Sequence, residues 1–141
     1  MEIFNSQERT LTELDHARIA RLLRTSSATA PVGPFDPAPR DLLDSAAVVP
    51  SRVVSPDVVT MYSQVMLLDL ESGARQKLTL CYPSDADPGQ GFVSVLSPVG
   101  MNLLGMRVGA VARWSAPDGK ERRAEILALL FQPEASGDYT I

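Results

Sequence analysis

The sequence predicts an α+β fold in which helical segments come first and strands follow. Before residue 50, apolar residues recur at the three- and four-residue spacing of amphipathic helices. From Asp57 onward they alternate along the chain, as in strands that bury one face. Between two of these strands, residues 97–105 contain a Ser-Pro pair, an apolar run and a glycine. That order is typical of one short helix with a cap at each end.

The first helix is predicted to run from Thr10 to about Arg24. Thr10 and Glu13 have the spacing of a capping box, in which the two side chains satisfy free backbone N–H groups. The apolar residues fall within one arc of the helix: Leu11, Leu14, Ile19, Leu22 and Leu23. Asp15 and Arg18 point into the same arc and are three residues apart. We therefore expect them to form an ion pair at the solvated edge of the apolar arc, along the seam where the two helices of the hairpin would pack.

A second helix is predicted from Pro39 or Arg40 to Val49. Residues 25–39 contain four prolines and a glycine, which a helix interior does not tolerate, and they predict a loop. Two amphipathic helices joined by a loop should pair antiparallel. We therefore predict a short, coiled-coil-like α-hairpin over residues 1–50, followed by a second domain over residues 57–141.

The second domain is predicted to be an antiparallel, twisted sheet with one short helix. Ser72-Gly73 is a turn signal between two apolar runs, so residues 64–70 and 75–82 predict a hairpin. Further strands are predicted at residues 58–61, 92–95, 111–115 and 121–131. The last of these is apolar on both faces near its end, which indicates a central strand, and Trp114 and Phe131 are expected to fill the core.

Composition excludes several classes of function. The 141 residues carry a net charge of −4, whereas a general nucleic-acid binder needs a basic face, so we expect a protein partner. No apolar run is long enough to span a membrane, and the acidic N-terminus does not resemble a signal peptide, so we expect a cytoplasmic protein. Cys81, the one cysteine, lies in a predicted strand and is interpreted as a buried, inert thiol.

Residues that could support catalysis are few. His16 is the one histidine, has no serine or cysteine beside it, and is expected to be a solvated helix residue. The sequence lacks a Gly-rich phosphate loop and a metal-binding motif. We predict no catalytic residue, no metal and no cofactor.

Three blocks of sequence carry a family resemblance. Residues 94–109 read S-V-L-S-P-V-G-x-x-L-L-G-x-R-V-G, residues 57–61 read D-V-V-T-M, and residues 132–139 read Q-P-E-A-x-G-D-Y. Together they resemble the C-terminal domain of the bacterial Gre transcript-cleavage factors, and resemble still more closely the regulator of nucleoside diphosphate kinase (Rnk) family. The D-x-x-R-I-x-x-L-L pattern at residues 15–23 is similar to Rnk relatives as well.

The resemblance implies an FKBP-like second domain that binds RNA polymerase at the rim of its secondary channel. In Gre factors the loop before the short helix contacts the polymerase, and in this chain that loop supplies Ser94, Leu96, Ser97 and Pro98. Leu96 stands where Gre factors usually have an acidic residue, which matches the Rnk side of the family. The alternative interpretation of Ser97-Pro98 is a purely structural one, in which the two residues only cap the helix.

Transcript cleavage is not expected from this chain. Gre factors carry acidic residues at the tip of a long hairpin, where a Mg²⁺ ion needs paired carboxylates. The loop at residues 25–39 offers only Asp36, which precedes a proline and is also typical of a turn. A helix of about 14 residues would be only about 20 Å long, which is too short to bring a metal-binding pair of carboxylates to the catalytic centre of the polymerase.

The sequence therefore predicts a monomeric, cytoplasmic regulator that binds RNA polymerase without cleaving the transcript. The resemblance also implies a part in controlling nucleoside diphosphate kinase levels, and we interpret that effect as indirect. Three alternatives stay open: a true cleavage factor acting through Asp36, an FKBP-like prolyl isomerase, and an adaptor for another protein. Specific nucleic-acid recognition and membrane association are not expected.

Overall fold

A computed structural model describes residues 9–25 and 39–139 of the chain. These residues form three helices and seven strands. The helices are α1 (Glu13–Thr25), α2 (Pro39–Ser45) and α3 (Pro98–Leu103). The strands are β1 (Thr10–Thr12), β2 (Ala47–Val49), β3 (Gln64–Asp69), β4 (Arg75–Cys81), β5 (Phe92–Ser94), β6 (Val111–Ser115) and β7 (Glu121–Phe131).

The large sheet has the strand order β5-β4-β3-β7-β6. The predicted hairpin is confirmed as β3 and β4, which pair antiparallel around Gly73 in the left-handed conformation. The expectation of a wholly antiparallel sheet is wrong, because β5 pairs parallel to β4. Between β4 and β5 the chain turns back along β4 through a connection that contains two 3₁₀ turns, at Pro83–Asp85 and Pro88–Gln90.

The central position predicted for β7 is confirmed, because β7 lies between β3 and β6. Phe131 at its end is nevertheless 44% exposed, so its predicted place in the core is wrong. Strand β6 pairs with β7 only over Glu121–Glu125, so none of the described strands continues beside the end of β7 on that side. Trp114 is partly buried and packs against the core.

The N-terminal segment contains a strand pair that the sequence pattern does not predict. Strands β1 and β2 pair parallel, and the Ala47 N–H donates to Arg9 O at 2.9 Å. The second helix therefore ends at Ser45 instead of Val49. Because Thr10–Thr12 is a strand, the predicted cap at Thr10 is also wrong, and the Thr12 hydroxyl caps α1 instead by accepting from the Asp15 N–H at 3.0 Å.

The N-terminal segment and the sheet share one hydrophobic core. Leu11, Ile19, Leu42 and Leu43 are buried in the same cluster as residues of the sheet and of α3. Arg9, which is 8% exposed, donates through Nη1 to Met101 O and Leu104 O at the end of α3. Within the described ranges, no helix has the length and apolar character needed to cross a membrane.

Candidate functional site

The loop from Ser94 to Pro98 leads from β5 into α3 and is held by two serine hydroxyls. The Ser97 hydroxyl donates to Ser94 O at 2.6 Å and accepts from the Gly100 N–H at 3.1 Å, which makes Ser97 the N-cap of α3. The Ser94 hydroxyl accepts from the Leu96 N–H at 3.0 Å. Pro98 occupies the first turn of α3, where its missing N–H costs nothing. The loop therefore has a fixed shape.

The predicted contact residues lie in one loop, which we call the contact loop: Ser94, Leu96, Ser97 and Pro98. All four are partly exposed, whereas Val95 between them is fully buried and its N–H donates to Cys81 O at 2.8 Å. The buried valine anchors the contact loop to β4. The structure thus presents the residues together on the surface, where another protein could reach them.

Gly100 allows α3 to lie directly against the contact loop. A Cβ atom at this position would stand 2.1 Å from Ser94 O and 2.9 Å from Ser94 C. Both atoms belong to the backbone and cannot move aside as a flexible side chain would. The close packing of α3 on Ser94 therefore depends on the absence of a side chain at residue 100.

Replacing Ser97 with alanine should lower the free energy of unfolding by about 1 kcal/mol, since the N-cap acceptor is lost. Urea unfolding followed by circular dichroism measures this loss. Ser84→Ala, at an exposed serine in a surface turn, is the control and should leave the stability unchanged. Equal stability of the Ser97 variant and the wild type would show that the hydroxyl does not hold the loop.

Asp15 is completely buried, so its predicted place at a solvated helix edge is wrong. Its Oδ2 accepts from the Met61 N–H at 3.1 Å, which ties the first turn of α1 to the segment before β3. Burial raises the pKa of Asp15 to about 6, with a smaller contribution from the charge of Glu134; the hydrogen bond from Met61 opposes the shift. Arg18 is exposed, and its charge acts on the Asp15 carboxyl in the opposite direction from Glu134.

Glu134 belongs to a buried, hydrogen-bonded cluster, which we call the joint: Asp15, Thr60, Met61, Ser63 and Glu134. The Thr60 hydroxyl donates to Glu134 Oε1 at 2.7 Å, and the Ser63 hydroxyl lies 2.9 Å from Thr60 Oγ1. Nearby, Gln132 Nε2 donates to Val58 O at 2.7 Å. The joint connects three distant stretches of the chain, and sequence reasoning missed it although each stretch belongs to a block that carries the family resemblance.

The remaining predicted positions have different outcomes. Asp36 lies outside the described residues. His16, expected to be solvated, is partly buried, and its Nε2 donates to Leu43 O at 3.0 Å and so links α1 to α2.

The Cys81 thiol is buried, as predicted, and donates to Val93 O, while burial raises its pKa. Over residues 9–25 and 39–139, histidine, cysteine and carboxylate side chains form no group that could hold a metal ion.

Comparison with known families identifies the family to which this chain belongs. The family model for the C-terminal part of transcription elongation factors GreA and GreB matches residues 54–130, more than half of the chain. The chain is also 37% identical over 131 residues to the regulator of nucleoside diphosphate kinase of Escherichia coli K12, covering 93% of this chain and 95% of that protein. The chain belongs to the GreA/GreB family, on the Rnk side.

Other members of the GreA/GreB family match less of the chain. GreA from Solidesulfovibrio magneticus is 36% identical over 92 residues, which is 64% of this chain and 56% of that protein. The structure of a GreA/GreB elongation factor from Nitrosomonas europaea superposes with a TM-score of 0.69 at 33% identity, covering 88% of this chain and 98% of that one. The Rnk-type chain thus spans about half the length of its GreA relatives and nearly the full length of its Rnk relative.

Proposed function

We propose that this Rnk-type protein binds RNA polymerase near the secondary channel, through the contact loop, and regulates transcription without promoting transcript cleavage. Membership of the GreA/GreB family, together with a rigid and partly exposed contact loop at the matching position, carries the proposal. Leu96 gives the centre of the loop an apolar character, which suits a contact that excludes water. In this proposal the protein acts in the bacterial cytoplasm as a monomer.

The proposal includes a domain architecture: an antiparallel helical hairpin over residues 1–50 and an FKBP-like head over residues 57–141. The hydrogen bond from His16 to Leu43 O favours the hairpin, and the sheet with α3 beside it favours the head. Because the two parts share one core, the head would hold the hairpin at a fixed angle when it docks.

We propose that the protein does not promote cleavage, because its first helix is short and the segment between the two helices has too few carboxylates. Helix α1 has 13 residues and is therefore about 20 Å long. The segment between the two helices, residues 26–38, contains one acidic residue, Asp36, whereas a shared Mg²⁺ ion needs at least a pair of carboxylates. The name of the Escherichia coli relative refers to nucleoside diphosphate kinase. We propose that any effect of this protein on that enzyme arises indirectly, through transcription.

A binding competition tests the proposal. Labelled protein should bind core RNA polymerase, and an unlabelled Gre factor should displace it. Leu96→Lys should weaken this binding by about tenfold or more, because a positive charge replaces an apolar contact at the centre of the loop and is opposite in sign to the acidic residue of Gre factors. The control is Val53→Lys, since Val53 is 66% exposed and lies outside the contact loop. Binding that a Gre factor does not displace, or that Leu96→Lys leaves intact, would contradict the proposal.

Two enzyme alternatives are tested in parallel. Stalled transcription complexes should show no shortening of the RNA 3′ end when the protein is added; shortening that Asp36→Ala abolishes would establish a cleavage factor. A prolyl isomerase needs an aromatic-lined pocket. The cavity between the sheet and α3 measures about 210 Å³, and Trp114 is the one aromatic among its described lining residues, so this cavity does not provide such a pocket. In our proposal a proline peptide shows no acceleration of cis–trans exchange when the protein is added; acceleration would favour an isomerase.

A further inference from the structure

A groove lies between α1 and the turn that follows β4. Its volume is about 620 Å³, which is large enough for several side chains of a bound peptide. The lining residues are Arg18, Arg21, Leu22, Thr25, Tyr62, Tyr82, Pro83 and Ser84. None of them belongs to the contact loop.

The floor of the groove is aromatic and apolar. Tyr62 and Tyr82 pack edge to face, with ring centroids 5.8 Å apart and an angle of 60° between the planes. Leu22 and Pro83 extend this surface on either side. Such a floor suits an apolar side chain of a bound partner, because burying it removes apolar surface from water on both molecules.

The wall formed by α1 is positively charged. Arg18 and Arg21 are three residues apart on the helix, so they lie on the same face, and both are exposed. Among the described residues, the ion pairs do not include Arg21. The chain as a whole carries a net charge of −4, so this pair of arginines is a local exception that would attract a partner of negative charge.

The backbone of Tyr62, one of the residues that line this groove, is held in an unfavourable conformation. Its φ of 64° lies in the left-handed region, and Tyr62 is the one non-glycine residue among those described with a positive φ. For a bulky side chain this conformation costs on the order of 1–3 kcal/mol. The hydrogen bond from Tyr62 N–H to Leu80 O, at 2.7 Å, and the one from its hydroxyl to Asp85 hold it there. Strain of this kind is concentrated at binding sites.

We propose that this groove binds an acidic peptide segment of a partner protein, with an apolar side chain on the tyrosines and flanking carboxylates on Arg18 and Arg21. Arginine suits carboxylates because its planar fork can donate two parallel hydrogen bonds. None of the residues that line the groove belongs to the contact loop, and binding of the peptide does not require polymerase to be the partner.

Fluorescence anisotropy with a labelled peptide of glutamate and leucine tests this proposal. The peptide should bind, and its affinity should fall with added salt, because exposed charges are screened. The same peptide with lysine for every glutamate, or glycine for every leucine, should bind at least tenfold more weakly. Failure of the glutamate–leucine peptide to bind, or equal binding of the lysine version, would overturn the proposal.

Variants locate the binding to the groove. The double substitution Arg18→Gln and Arg21→Gln should weaken peptide binding by about tenfold, since two charge-assisted contacts are lost. Arg75→Gln together with Lys77→Gln, at exposed positions on β4 outside the groove, removes the same charge and should leave binding unchanged. Tyr62→Asn should fold, because asparagine tolerates the left-handed region, but should bind more weakly. Unchanged affinity in the arginine double variant, or displacement of the peptide by ADP at equal concentration, would contradict an acidic-peptide site.

Discussion

Replacing Gly100 with alanine should lower the free energy of unfolding by about 3 kcal/mol or more, because the new methyl group meets the backbone of Ser94. The Cβ atom would lie 2.1 Å from Ser94 O, far inside van der Waals contact, and 3.1 Å from Leu80 Cδ1. Helix propensity alone predicts the opposite sign, since alanine in a helix is more stable than glycine by about 1 kcal/mol. The steric conflict is larger, so α3 must move away from the contact loop or unfold.

Thermal unfolding followed by circular dichroism measures this effect, and we expect the Tm to fall by roughly 10 °C. Gly89→Ala is the matched control, because a Cβ at that position meets Asp87 Oδ1 at an ordinary 3.7 Å. That variant should be within about 1 kcal/mol of the wild type. A Gly100 variant as stable as the Gly89 variant would show that α3 does not pack on Ser94 as described.

Features encoded by neighbouring residues could be predicted from the sequence. The Ser97 cap, the glycine stop at Gly105 and the turn at Gly73 each depend on a few adjacent residues, and the structure confirms all three. The contact loop was found by the resemblance of its residues to those of Gre factors, because nothing in its local pattern distinguishes a protein contact from a helix cap.

Features that depend on distant partners could not be predicted. Strand β2 forms because Ala47 donates to Arg9 O, and the apolar pattern at residues 42–49 is equally typical of a helix. The burial of Asp15 depends on Met61, which is 46 residues away. An aspartate three residues from an arginine is usually part of a solvated pair, and no local signal shows that a backbone N–H from another segment will meet it.

The burial of Asp15 has a consequence for stability as a function of pH. Its pKa is raised from 3.8 to about 6 in the folded protein, mainly by burial. A raised carboxyl pKa means that the folded state binds the proton more tightly than the unfolded state does. The contribution of Asp15 to stability is therefore fully present below pH 4 and is lost as the pH rises through 6, by on the order of 3 kcal/mol.

Asp15→Asn should remove this dependence, because the amide stays neutral and its oxygen can still accept from the Met61 N–H. Relative to the variant, the wild type should lose stability between pH 4 and pH 7, with on the order of 3 kcal/mol separating the two ends of that range. Urea unfolding at several pH values measures the difference. Glu13→Gln, at an exposed acid on the same turn of α1, is the control for replacing an acid by its amide at this place in the helix.

Asp15→Ala separates the charge from the hydrogen bond. Alanine also removes the titration, but it leaves the buried Met61 N–H without its acceptor, which costs about 1–3 kcal/mol. The alanine variant should therefore be less stable than the asparagine variant at every pH, by a constant amount. If the asparagine variant kept the pH dependence of the wild type, the titrating group would lie elsewhere. Equal stability of the alanine and asparagine variants would mean that the bond to Met61 does not hold α1 against the sheet.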